Sequence, residues 1–169
     1  MSTKFFNNKL GNTLFDKLKG IASEMTTFDR FLAVVGFFRS SGYFKLRKEL
    51  GDISEIKILV GINIDDIFRK HNKALLMFAN EEKAKELYQK DFKEDIVNAQ
   101  YSHEVEEGIL QMCDDLASGR LQMRIDAQNS LHAKFYLCLP QNHSEHSDGW
   151  VIMGSSNISD SGLGIKQPP

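Results

Sequence analysis

The chain has 169 residues, of which 41% are hydrophobic and 26% charged, the usage of an ordinary globular domain rather than a disordered or fibrous chain. Twenty-one basic against 23 acidic residues leave a formal charge of −2, which excludes wrapping of duplex nucleic acid by bulk positive charge. Twelve Phe supply a sizeable core, and at this length about 70% of the unfolded surface can be buried without a metal or disulfide. We therefore expect one domain over residues 1–169.

In chain order, the apolar positions of residues 9–25 (Leu10, Leu14, Phe15, Leu18, Ile21, Ala22, Met25) recur at i, i+3 and i+4, which predicts an amphipathic helix. The nearly unbroken apolar run within 29–38 predicts a strand covered on both faces, closed by Gly36 and a Ser40-Ser41-Gly42 turn. A short helix is expected over 43–50 and a second buried strand over 56–60, ending at Gly61. Residues 65–90 read as helical, with a charged, solvated stretch at 81–90. A further helix is expected over 102–117, with Ser102 as its cap, an apolar stripe of Val105, Ile109, Met112 and Leu116, and Ser118-Gly119 as its stop. Three strands follow at 121–126, 131–139 and 150–153, the last two joined by the polar insert 141–149. Strands alternating with helices imply an α/β fold, a mixed β-sheet flanked by helices, with antiparallel pairing in the final strand cluster.

Cys113 and Cys138 sit in apolar stretches and are read as buried free thiols of a reducing compartment. No run approaches the roughly 18–20 apolar residues of a membrane span, and residues 1–10 have no apolar signal core. A cytoplasmic location with no membrane association is expected. The terminal Gln167-Pro168-Pro169 reads as a linker, so the chain is expected to be a fragment of a longer protein.

The chemistry concentrates in two segments. In the strand expected over 131–139, residues two apart share a face, so His132 and Lys134 point the same way while Ala133, Phe135, Leu137 and Leu139 face the other layer. An imidazole beside an ammonium suits an anion. The strand at 150–153 runs into Gly154-Ser155-Ser156-Asn157, where glycine allows close approach of a ligand and Ser155 and Asn157 offer groups for phosphate oxygens. If the two strands are neighbours, His132, Lys134 and Asn157 converge. His132 then serves as nucleophile on a phosphodiester, and Lys134 and Asn157 stabilise the developing charge. Lys134 brings the positive charge, so no metal or cofactor is expected.

His132-x-Lys134 followed by Gly154-Ser155-x-Asn157 resembles the signature of the phospholipase D superfamily, and residues 159–163 look like the family's continuation. The family's Asp five residues after the Lys is Leu139 here, a departure that weakens a lipid-active reading more than a nuclease-like one; Glu145 and Asp148 are the nearby acids. The family's site uses two such motifs, one His as nucleophile and the other as general acid, and only one motif is present. The resemblance therefore implies a homodimer with His132 of each chain meeting across a twofold axis. The opening segment, 14–47, looks like the phospholipase-D-like domain at the N-terminus of bacterial superfamily 2 helicases. What this implies is a metal-independent phosphodiesterase or nuclease acting on DNA through a phosphohistidine, attached to a C-terminal helicase domain or a restriction system. The alternative is a catalytically inactive phosphate- or DNA-binding and dimerisation module; lipid hydrolysis is the least favoured reading.

Other signals receive plainer readings. Lys45, Arg47 and Lys48, with Arg39, form either a phosphate groove or, the favoured reading, a solvated face. His143 and His146 are read as loop residues, Trp150 as core, and Arg124 and Asp126 as either tuning the site or pairing with each other.

Overall fold

The computed structural model describes residues 5–7, 9–64, 103–126 and 131–165. The first helix, α1 (Leu14–Glu24), starts at a capping box: Thr13 Oγ1 accepts the Asp16 amide at 3.1 Å, and the Asp16 carboxylate accepts the Thr13 amide at 2.9 Å. These reciprocal bonds satisfy amide donors that the helix itself leaves open. There follow β1 (Phe28–Phe38), α2 (Ser40–Leu50), β2 (Glu55–Ile64), α3 (His103–Ala117), β3 (Leu121–Ile125), β4 (Phe135–Pro140), β5 (Trp150–Met153) and the single-turn α4 (Asp160–Leu163). The expected helical residues 65–90 and the Ser102 cap lie outside the described residues.

The strands form one mixed sheet in the order β3-β2-β1-β4-β5. β1, β2 and β3 run parallel to one another; β4 is antiparallel to both β1 and β5. Register aligns the buried side chains across it. Phe31 lies between Ile56 and Cys138, and Ala33 between Ile58 and Tyr136. This face packs in one cluster with Leu14, Leu18 and Ile21 of α1, Tyr43 and Leu46 of α2, and Met112 of α3. Burial of each large apolar side chain there contributes about 1.5–3 kcal/mol.

Several expectations are corrected in detail. β1 is fully buried on one face only, since Leu32 and Val34 are half-buried. Ser40-Ser41-Gly42 is the first turn of α2 rather than a turn before it. β2 runs on past Gly61, where a Cβ would overlap the Leu131 carbonyl oxygen, 1.7 Å away. β4 starts at Phe135, so His132 and Lys134 stand in the lead-in to the strand, and its most buried residues are Tyr136 and Cys138. Trp150 is 40% exposed on the edge strand rather than core. Neither cysteine is in a disulfide; Cys113 is half-buried and Cys138 buried, and burial pushes the Cys138 thiol up to about 12. Among the described residues no helix is long and apolar enough to cross a membrane.

Candidate functional site

The site forms where β1 leaves the sheet. The β1–β2 register runs to Val35↔Val60 and resumes at Phe37↔Asn63, a bulge. At this irregularity two successive amides, of Gly36 and Phe37, both donate to Asn157 Oδ1, at 3.0 and 2.9 Å. That occupies the amide oxygen of Asn157 and leaves its Nδ2 group as the donor; no acceptor for it stands among the described residues.

The loop carrying Asn157 is tied down from three sides. The Tyr136 hydroxyl donates from the core to the Ser156 carbonyl at 2.7 Å. The Gly154 amide donates to the Lys134 carbonyl at 3.2 Å, and the Arg39 amide to the Ile158 carbonyl at 2.8 Å. On the other side, the Asp126 carboxylate accepts the Leu131 amide at 3.0 Å and holds the backbone that enters His132. Asp126 thus serves the site by fixing the chain.

Lys134 is 7% exposed. Its Nζ donates to the His132 carbonyl at 2.7 Å, and no carboxylate among the described residues pairs with it. Burial lowers its pKa from the ordinary 10.5. A buried cation without a counter-charge is costly, and an anion beside it removes that cost. His132 is exposed, with no hydrogen bond to its imidazole among the described residues.

Gly36 is the residue that lets these groups meet. A Cβ there would lie 3.2 Å from His132 Cδ2, 3.3 Å from Lys134 Nζ and 3.5 Å from Asn157 Oδ1. The structure therefore brings together His132, Lys134 and Asn157 around one point. Ser155 is exposed on the same loop and is not among the three groups nearest that point. Sequence reading placed Gly36 only as a strand stop; its one available signal was a glycine inside an apolar strand, which marks a bulge or a close approach.

Lys45, Arg47 and Lys48 are each turned to carboxylates rather than to a phosphate groove. Lys45 pairs with Asp160 at 3.1 Å, Arg47 is buried against Asp115 at 2.7 Å, and Lys48 faces Glu104 and Glu107 at 3.8 Å. The solvated-face reading thus holds for Lys48 and fails for Arg47. Leu139, in place of the expected acid, pairs with Arg30, about 16 Å of extended chain beyond Lys134. His143 and His146 are exposed in the β4–β5 loop, as are Glu145 and Asp148. A groove of about 740 Å³ near Trp150 is lined by Glu24, Asp29 and Asp148 and by no Lys or Arg, chemistry opposite to that of the Lys134 pocket.

The buried cation has a consequence in pH. Sulfate keeps a constant charge through the alkaline range, so its affinity should fall as Lys134 loses its proton, with a midpoint below 10.5. Because the folded-state pKa is lowered, the unfolded chain holds this proton more tightly. The residue's contribution to stability therefore rises as pH climbs from the folded value toward 10.5. Calorimetric sulfate titrations across pH check this; an alkaline limb that survives in Lys134→Met would refute it.

The chain matches no protein-family model and no curated protein.

Proposed function

We propose that this chain is a phospholipase-D-like, metal-independent phosphodiesterase of nuclease type, acting on DNA and working with a helicase or restriction partner. The observation that carries the reading is Lys134, a buried cation with no carboxylate partner among the described residues, held with His132 and Asn157 around Gly36. An imidazole nitrogen of His132 attacks phosphorus, a P–N bond forms and the P–O bond to the leaving alkoxide breaks. Lys134 Nζ and Asn157 Nδ2 donate to the non-bridging oxygens as charge builds, with Ser155 at the rim. Water then attacks the phosphohistidine and gives its proton to the second copy's His132, left neutral by the first step; the P–N bond breaks and the first imidazole is restored. The proton for the leaving oxygen comes from His132 of a second copy, and the exposure of His132 leaves it open to such a partner.

One observation favours the rival reading, a phosphate- or DNA-binding and dimerisation module: no hydrogen bond among the described residues orients the His132 imidazole. Cleavage of bis(p-nitrophenyl) phosphate and plasmid DNA in EDTA separates the two. We expect wild-type turnover and a loss on the order of 10³-fold or more in His132→Ala and in Lys134→Ala. A dimeric wild type that binds phosphate but never turns over would make the chain a binding module.

A further inference from the structure

The N-terminal arm passes Gly154 before α1, and a turn fixes it. The Asn12 amide donates to the Lys9 carbonyl at 2.8 Å and the Asn7 amide to the Asn12 carbonyl at 3.2 Å. Asn7 Oδ1 accepts the Lys9 amide and Asn12 Nδ2, both at 3.2 Å. Just before this turn Phe6 packs on the core cluster, its Cζ 3.4 Å from where Gly154 would carry a Cβ. Gly154 is the residue whose amide reaches the Lys134 carbonyl, three positions before Asn157. The neighbour of Phe6, Phe5, is 85% exposed, and Met153, on the other side of Gly154, is 74% exposed. An anchored arm thus carries a solvated aromatic ring next to Phe6, which itself meets Gly154 on the loop that leads to Asn157.

We propose that Phe5 is a stacking platform for the nucleobase next to the phosphate held by Lys134 and Asn157, which makes single-stranded nucleic acid the preferred ligand. The proposal rests on the phosphate reading of that pocket. A phosphodiester flanked by a flat aromatic group satisfies both halves of the surface, and every base offers a π-face whatever the sequence. Bases inside a duplex are already stacked on each other and cannot present that face. A lipid surface fits less well, since an interfacial anchor relies on free basic side chains and Lys45 and Arg47 are committed to Asp160 and Asp115.

The test titrates wild type, Phe5→Ala and Lys134→Met with four probes: labelled oligothymidylate, its duplex with oligodeoxyadenylate, inorganic phosphate and phosphatidylcholine vesicles. Wild type should bind the single strand at least about tenfold more tightly than the duplex. Phe5→Ala should weaken single-strand binding by about 5- to 100-fold, as expected for one lost stack. Its phosphate affinity and melting temperature should hold, because Phe5 is exposed. Unchanged oligonucleotide binding in Phe5→Ala, equal binding of duplex, or preference for vesicles would overturn the platform while leaving the phosphate pocket standing. A wild type that binds no phosphate, with oligonucleotide binding indifferent to Lys134→Met, would overturn the pocket and the platform with it.

Discussion

Asp115→Ala should destabilise the fold by about 3–5 kcal/mol, the range for breaking a buried ion pair from one side. Asp115 sits on α3 with its side chain fully buried, and Arg47 of α2 is 8% exposed. Its Oδ2 accepts Arg47 Nε at 2.7 Å and the Tyr43 hydroxyl at 2.9 Å; its Oδ1 accepts Gln111 at 3.1 Å and Arg47 Nη2 and Arg120 at 3.2 Å. Removing the carboxylate leaves a guanidinium in the core with, among the described residues, the Gly51 carbonyl alone for a hydrogen-bond partner. Arg47→Met should cost less, because the carboxylate keeps Tyr43, Gln111 and Arg120. At about 2–4 °C per kcal/mol for a chain this long, Asp115→Ala should melt roughly 10 °C lower. A drop of only a degree or two in a circular-dichroism melt would show that the cluster is dispensable. The pH dependence has a definite sign. Burial pushes the Asp115 carboxyl up, but the hydrogen bonds from Arg47 and Tyr43 outweigh it and hold the pKa below 3.8. The stabilisation is therefore present above that value and is lost as pH falls through the folded pKa.

Gly36→Val should disable the site with little change in the fold. Even the Cβ of Ala would stand 3.2 Å from His132 and 3.3 Å from Lys134, so these two would have to give by a few tenths of an ångström, while Asn157 at 3.5 Å would be in ordinary contact. The branched methyls of Val extend further into the same space. A displacement near 1 Å in a catalytic cluster costs on the order of 10²-fold in rate. We expect a graded loss, modest in Gly36→Ala and at least about 10²-fold in Gly36→Val, in both EDTA-resistant turnover and sulfate affinity. Full function in Gly36→Val would mean that the three groups work apart from one another.

Much of the sheet was legible because apolar runs bounded by turn residues announce strands. The strand at 150–153 matches β5 residue for residue, and the one at 29–38 misses β1 by a single position. What stayed hidden depends on partners distant in sequence. Arg47 looked like a surface cation because its carboxylate lies 68 residues away. Trp150 looked like core because nothing local says that β5 ends the sheet. The α1 start was missed because its box closes with Asp16 in the place where Glu or Gln is the usual sign. In the site, His132, Lys134 and Asn157 could be named from spacing and residue type. Gly36 could not, since its role is set by side chains from the far part of the chain.

The bonds from Gly36 and Phe37 to Asn157 span 121 and 120 residues. Helical turns form within submicroseconds, whereas contacts this distant wait for the chain to close on itself. The pocket is thus a late product of folding, absent from any intermediate in which β1 and β2 have paired but β4 and β5 have not docked. A nascent or misfolded chain carries His132 and Lys134 close in sequence but cannot seat them with Asn157 against Gly36, so whatever chemistry needs all three is withheld until the topology is complete.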